Sequence, residues 1–405
     1  MAMKGPLTGI RIVDMSQAHA GPFGTQMLGD MGADVIKIEA PERGDLTRMV
    51  PPKIETEGYY ILALNRNKKS IELDFGTPSG KEVLYDLVKV SDVVFDNFKA
   101  GAMEKLGADY ETLKKINPQI ICCSITGYGP TGPYRDRMSV DDIAQGLAGA
   151  MSLCGEPGGP PMRPGIPIAD ISAGIFAAMG VIIALYDRKN TGEGRKIDIN
   201  LLDSTMFLMS NHFQNYFISG IPPGPQGSKH PFLPLGAYQT KNGHIMTGVT
   251  WPQTPKLVNR EWLLDDPRFD TFEKRFANRK ELDEIIEDAL REKDSEYWLE
   301  VLQGDDVTAT PVNTLDKVVA DPQVVHNKTV LHMDHPLCGA IRAIANPIHF
   351  NCGVEGEPSP PATLGQHTDQ VLREVLGYSE EKVKRVHEEI KAHAEELEKH
   401  TRKKL

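Results

Sequence analysis

The stretch that decides the fold is Gly9-Ile-Arg-Ile-Val-Asp14, continued through Met15-Ser-Gln-Ala-His-Ala-Gly-Pro22 and closed by Gly32-Ala-Asp-Val-Ile-Lys-Ile-Glu39. Residues 10–14 read as a short strand and residues 16–21 as a loop. Pro22, whose fixed φ suits a first helical turn, opens a helix that stops near Gly32 ahead of a second strand at 33–39. Strand, helix and strand at this spacing make a βαβ unit, the building block of parallel sheets. Gly21 and Gly24 do not have the G-x-G-x-x-G spacing that brings backbone amides onto a pyrophosphate. A standard dinucleotide site is therefore not expected, although Glu39 ends the second strand.

Working outward, further strands are expected at 70–73, 93–95 and 120–125, with a helix at 78–90 between the first two. The fold class is thus α/β, a Rossmann-like large domain with a mostly parallel sheet. Ligands on such sheets sit at the carboxyl ends of the strands, here the loops at 16–21, 96–101 and 127–139. A helix over 201–217 runs into Ile221-Pro-Pro-Gly-Pro-Gln-Gly-Ser-Lys-His-Pro231, which reads as a linker. The expected domains are 1–220, completed by about 330–405, a linker at 221–236, and a smaller α+β lobe at 237–329. That lobe should hold a hairpin of 237–240 with 244–249 around Asn242-Gly243, and charged helices over 279–302. From about Val330 the pattern becomes loop-rich. Residues 379–405 form a charged helix with Val383, Val386, Ile390 and Leu397 at helical spacing, either docked by that stripe or facing a partner.

Composition bounds the function. The chain has 405 residues, 40% of them hydrophobic and 25% charged, which excludes a disordered chain. A net charge of −11 argues against nucleic acid as the main partner. Five cysteines without a C-x-x-C pair indicate neither a zinc site nor a disulfide framework, so reduced thiols are expected. The apolar run at 171–186 is short for a membrane span and reads as a buried core helix. Lys4, Arg11 and Asp14 interrupt any signal-peptide core, which makes a cytoplasmic, membrane-free protein the expectation.

The chemistry centres on Ile166-Pro-Ile-Ala-Asp170-Ile-Ser-Ala-Gly174, an acid at the head of the apolar helix. Asp170 reads either as an N-cap or as a carboxylate that a helix N-terminus keeps ionised for covalent catalysis. Position alone leaves both open. Over nearly its whole length, however, the chain resembles the class III CoA-transferases. The resemblance rests on residues 9–14, Ala20-Gly-Pro22, residues 32–39, Gly44-Asp45, Asn67-Lys-Lys-Ser-Ile-Glu-Leu-Asp74, Asp96-Asn-Phe98, Gly127-Tyr-Gly-Pro-Thr-Gly-Pro-Tyr134, Ala169-Asp170, Pro311-Val312, Asp321-Pro-Gln323 and Leu364-Gly-Gln-His-Thr368.

What the resemblance implies is specific. Asp170 would attack a donor acyl-CoA, such as succinyl-CoA, and pass through mixed anhydrides and an aspartyl-CoA thioester. CoA would then go to a carboxylic acid acceptor with no metal or redox cofactor. Backbone amides near Asp170 or from the second lobe would meet the oxyanions. His19 stands where relatives carry glutamine, and is read as either a thioester contact or a plain loop histidine. CoA contacts fall on Gln17, Ala18, Leu73, Asn97, Phe98, Lys105, Arg137, Met138 and Asp141. An arginine of relatives is Ala40 here, with Arg43 as its candidate replacement. Relatives of this layout assemble as interlocked dimers, so a homodimer or a heteromer with a related subunit is implied. The alternative within the superfamily is a 2-methylacyl-CoA racemase, whose histidine before the residue matching Asp141 is Val140 here. The apolar loop Lys229-His-Pro-Phe-Leu-Pro-Leu-Gly236 points to a larger acceptor, such as an aromatic or branched dicarboxylic acid, and within the family the chain also resembles the CoA-transferases that act on benzylsuccinate.

Overall fold

Strand β1, Arg11–Asp14, buries Ile12 and Val13 completely, and a strand with neither face in water belongs inside a parallel sheet. The computed structural model, which describes residues 3–230, 234–351 and 353–402 with side chains to 396, places it there. The other strands are β2 (Asp34–Glu39), β3 (Lys68–Glu72), β4 (Val93–Asp96), β5 (Ile121–Thr126) and β6 (Lys196–Asn200), all parallel, in the order β3-β2-β1-β4-β5-β6. The order reverses between β1 and β4, where α/β sheets open a crevice at the carboxyl ends of their strands.

Helices α1 (Ala20–Asp30), α2 (Pro78–Lys89), α3 (Asp141–Ala148), α4 (Ile168–Thr191), α5 (Leu201–Leu208) and α6 (Ser210–Ser219) accompany the sheet. Neighbouring strand residues go to opposite layers, as the pleat requires. Ile12, Val35 and Val93 pack with α1 and α4; Val13, Ile36 and Val94 pack with α2 and the C-terminal helix Glu380–Arg402. That C-terminal helix docks through Val383, Val386 and Ile390, as its stripe foretold.

The chain divides into two compact units. One comprises Met1–Ala150, Arg163–Gly220 and His326–Leu405; the other comprises Met151–Met162 and Ile221–Val325. In the second, β7 (Leu235–Gln239), β8 (His244–Gly248) and β9 (Ala309–Pro311) form an antiparallel sheet with β8 in the middle. Helices α7 (Arg279–Leu290) and α8 (Ser295–Gly304) supply Ile286, Leu290 and Trp298 to the core beneath it.

Several elements depart from the sequence reading. Helix α1 starts at Ala20, two residues before Pro22. Strand β6 precedes the helix expected at 201, and its alternating Lys-Ile-Asp-Ile-Asn is an edge-strand signal the reading passed over. The single helix expected over 201–217 breaks at Met209, where the Ser210 hydroxyl donates to the Phe207 carbonyl and competes with the helical ladder. Past residue 330 a hairpin of Val330–His335 with Gly339–Ile344 replaces the expected loop. Its turn lacks Asn-Gly because His335 Nδ1 accepts the amides of Leu337 and Cys338 and fixes the bend itself. Helix α4 is longer than the run read from sequence and spans 24 residues, long and apolar enough to cross a membrane by length and composition alone. Only one side of it is core. Ala173, Ala177 and Val181 are buried, while Met179, Ile183 and Tyr186 are exposed.

Cys122, Cys123, Cys154 and Cys338 are free thiols, and Cys352 lies outside the described residues. So do residues 231–233 of the loop read for acceptor size, and the side chain of Leu397.

Candidate active site

Two helix N-termini meet at the crevice because two glycines let them. A Cβ on Gly24 of α1 would stand 2.7 Å from the Gly174 carbonyl oxygen, and one on Gly174 of α4 would stand 2.6 Å from that of Ala20. Nothing larger fits. Gly174 lies one turn beyond Asp170 on the same side of α4, so the crossing that glycine permits also turns Asp170 toward the start of α1 and His19.

Asp170 is not the cap. The N-cap of α4 is Pro167, and Asp170 is the third helical residue. The capping role belongs to Asp141, in the first turn of α3, whose Oδ1 accepts the amides of Ala169 (2.9 Å) and Asp170 (3.2 Å) while Oδ2 accepts from Gln145. Asp141 is buried. The amides of Ala169 and Asp170 are thereby committed and are not free to donate to a ligand.

The Asp170 carboxyl itself makes no hydrogen bond or ion pair among the described residues. Burial, with the charges of Asp141 and Asp142 added, pushes its pKa up to about 7. The ionised Asp170 assumed at neutral pH is therefore only part of the population in the free chain. Opposing this is the first-turn position, whose dipole favours the carboxylate.

Around it, the His19 ring stands edge-on to Tyr60 at 5.4 Å and tilted to Phe23 at 6.2 Å. Burial lowers His19 to about 4, leaving a neutral imidazole. The Tyr60 hydroxyl is pushed up to about 12 by its bond to Tyr59 and by burial, and it feels both Asp170 and Arg163. Arg163 pairs with Asp142 at 3.1 Å.

The loop between β1 and α1 is pinned from below. Gln17 donates its amide to Asn97 Oδ1 (2.8 Å) and accepts from Asn97 Nδ2 (2.7 Å), joining the ends of β1 and β4. Ala18 is held at φ +62°, a region costly for a residue with a Cβ, by the hydrogen bond its backbone amide donates to Asp45 Oδ1 at 3.2 Å. Lys37 Nζ reaches the Ser16 carbonyl (2.7 Å) and Asp45 (2.9 Å), and Lys68 Nζ reaches Asp14 (3.0 Å), Thr25 and Asn65. Glu39 is held by Arg48 at 2.7 and 2.8 Å and by Ser70 at 2.6 Å. It is not free to meet a ribose.

Gln17, Ala18, Asn97 and Phe98 therefore gather at the switch point, with His19 and Asp170 beside them. Leu73, at the end of β3, is different: its side chain is core, not an exposed wall. Lys105, Arg137 and Met138 are exposed, with the Arg137 guanidinium 3.8 Å above the Tyr134 ring. Phe98 lines a cleft of about 50 Å³ with Lys99, Arg135, Lys196 and Asp198 at the ends of β4–β6. A cavity of about 400 Å³ in the second unit, among Val249, Trp251, Phe272, Arg275 and Phe276, contains none of these residues.

Sequence reasoning missed Tyr60, Arg163 and Asp142, which bear no motif, and the buried lysines of β2 and β3. The part played by Gly174 lies in the helix crossing. Its only signal was a small residue four positions after an acid on an apolar helix.

Comparison with known proteins bears on this arrangement. A model described as CoA-transferase family III matches residues 7–368. The chain is 38% identical over 381 residues to the succinyl-CoA:glutarate CoA-transferase of Homo sapiens, covering 93% of this chain and 87% of that one. It is 37% identical over 384 residues to the succinate–glutarate CoA-transferase of Agrobacterium fabrum, covering 92% and 96%. The crystal structure of a CAIB/BAIF family protein from Brucella suis superposes with a TM-score of 0.85 at 36% identity, covering 92% of this chain and all of that one.

Proposed function

The chain belongs to CoA-transferase family III, and from that premise we propose that it moves CoA from succinyl-CoA to a short dicarboxylic acid such as glutarate, with Asp170 as nucleophile. The observation that carries this is the state of Asp170: a first-turn carboxyl, unbonded, beside the pinned 15–19 loop.

In this reading the Asp170 carboxylate attacks the thioester carbonyl, and the C–S bond breaks to release CoA thiolate and leave a mixed anhydride. The thiolate attacks the Asp170 carbonyl of that anhydride, expelling the donor acid and forming the aspartyl-CoA thioester. The acceptor carboxylate attacks this thioester, breaking its C–S bond to release CoA thiolate and leave a second mixed anhydride; the thiolate then attacks the acceptor's acyl carbon and expels the Asp170 carboxylate. No proton need move, so neutral His19 serves as a contact rather than a base. Gln17, Ala18, Asn97 and Phe98 hold the pantetheine end, and Lys105 and Arg137 meet phosphates. Leu73 contributes through its main chain, Met138 through its exposed side chain, and Asp141 by fixing the Asp170 backbone. Metal and redox chemistry have no step to perform in this sequence. Racemase chemistry is the weaker reading, because Val140 occupies the cap position before Asp141 and cannot carry a proton.

The same reading makes the protein a cytoplasmic dimer of interlocked like chains. Supporting it is the apolar strip on α4, α5 and α6, with Met179, Ile183, Tyr186, Phe207, Phe217 and Ile218 exposed in the single chain.

The test is direct. The purified protein is incubated with succinyl-CoA, trapped with hydroxylamine and mapped by mass spectrometry, then supplied with a panel of acids. Modification at Asp170 and transfer to glutarate are expected. An unmodified Asp170 in a turning-over enzyme would overturn the mechanism. Light scattering at twice the chain mass is expected for the dimer, and an active monomer would refute it.

A further inference from the structure

The Asp170 site is acidic, which poses a problem for a substrate with two carboxylates. Asp141, Asp142 and Asp170 converge at the first turns of α3 and α4. The free dicarboxylate, and the acyl group with its one remaining carboxylate, would be repelled there unless a cation accompanies them.

Arg163 is that cation. Among the described residues it is the only one ion-paired with any of the three, through Nη1 to Asp142 Oδ1 at 3.1 Å. Its backbone leads into the first turn of α4, where the Ile166 carbonyl accepts from Gln145 of α3 at 3.3 Å and ties the approach segment down. Arg163 and Asp142 are 50% and 54% exposed, and an ion pair that open contributes little to folding. Its guanidinium keeps N–H donors that no described residue takes, in a planar fork matched to a carboxylate.

We infer that Arg163 receives the distal carboxylate of a dicarboxylic acyl group whose reacting end lies at Asp170, and so sets the protein's preference for dicarboxylic over monocarboxylic substrates. This rests on the transferase reading of Asp170. The incoming carboxylate adds to or replaces Asp142 on the guanidinium. An acyl chain ending in a methyl group leaves Arg163 with Asp142 and gains nothing from it.

The experiment follows the first half-reaction, so that one acyl group is present at a time. Glutaryl-CoA and pentanoyl-CoA, equal in chain length, are each mixed with the full-length protein, and CoA loading of Asp170 is timed by intact-protein mass spectrometry. The wild type should load faster from glutaryl-CoA. In Arg163→Met that advantage should shrink by about 10- to 100-fold, the worth of one charge-assisted pair, while pentanoyl-CoA loading changes far less. Arg163→Lys should retain part of the advantage, and matching thermal melts exclude misfolding. Equal slowing with both thioesters would assign Arg163 to CoA phosphates and overturn the inference, as would a wild type without preference. A wild type that takes up no CoA from either donor would sink the Asp170 reading, and this inference with it.

Discussion

Two clusters of charge, one fully buried beneath the 15–19 loop and one half-buried at the head of α4, behave in opposite ways. Beneath the 15–19 loop every buried charge has a partner: Asp14 with Lys68, Asp45 with Lys37, and Glu39 and Glu57 with Arg48. At the head of α4, Asp170 has none among the described residues. Burial would raise Asp14, but Lys68, Lys37 and the hydroxyls of Ser16 and Thr25 outweigh it and hold the carboxyl at about 2. Burial lowers Lys68 to about 8, so the pair stays charged at neutral pH with the ammonium as its more easily neutralised half. Asp170 meets burial with only like charges and rises to about 7. Paired burial makes a rigid platform. Unpaired burial leaves the carboxylate poorly solvated and holds its proton to higher pH, at a cost in stability.

The contrast is broken most severely at Asp170. Asp170→Ala should lower CoA transfer by at least about 10⁴-fold, as loss of a covalent nucleophile does elsewhere, and abolish the trapped CoA adduct. The melting temperature should not fall. Turnover near the wild-type rate would show that the carboxyl is only structural.

Lys68→Met attacks the opposite cluster. It leaves Asp14 buried without its nearest cation, and removing one partner of a buried pair costs about 3–5 kcal/mol. Chemical denaturation should register that loss, and a change under 1 kcal/mol would mean that Lys37 alone suffices for Asp14.

The pH dependence separates the two kinds of burial. Folded Asp170 keeps its proton to about 7, against an ordinary value of 3.8. Between those values the folded state binds more protons than the unfolded one, so this group's contribution to stability declines as pH rises through the window. Asp170→Asn should therefore be more stable than wild type by roughly 2–4 kcal/mol above pH 7 and little changed near pH 4. Thermal melts across pH decide it; a constant difference would refute the unpaired-charge account. In the wild type, kcat/KM should climb with pH through about 7, because only the carboxylate attacks.

Asp141→Asn is the mildest probe. Asparagine still caps α4, so folding should hold within about 1 kcal/mol, but one of the charges raising Asp170 disappears. The midpoint of the activity profile should move to lower pH. An unmoved midpoint would leave burial as the whole cause.

Much of the first unit was legible because its signals are local. Residues 9–39 state a βαβ unit through apolar runs and breaks within a few positions of one another, and the order of motifs down to Thr368 pointed to the family before any coordinates. The acid heading an apolar helix was visible in the same way. Strand β6 was also written, as Lys-Ile-Asp-Ile-Asn, and passed over because a helix follows immediately. The hairpin after residue 330 was harder, since its turn depends on His335 accepting backbone amides rather than on a turn dipeptide.

Sequence alone carried most of the sheet and the family, and it left Asp170 open between a helix cap and a nucleophile. It could not say that Asp141 rather than Asp170 caps α4, because the two are 29 residues apart and meet only when α3 and α4 pack. Nor could it pair Lys68 with Asp14, 54 residues away, a contact made through the bundle of α1 and the adjoining strands. Lys37 and Glu39 look like the wet face of a strand until Asp45 and Arg48 fold over them. Periodicity reports on neighbours along the chain, whereas the protonation state of a buried carboxyl depends on which distant charges the fold brings within a few ångströms. The tertiary structure alone decided that Asp14 would be paired and kept ionised and that Asp170 would be left without a partner among the described residues.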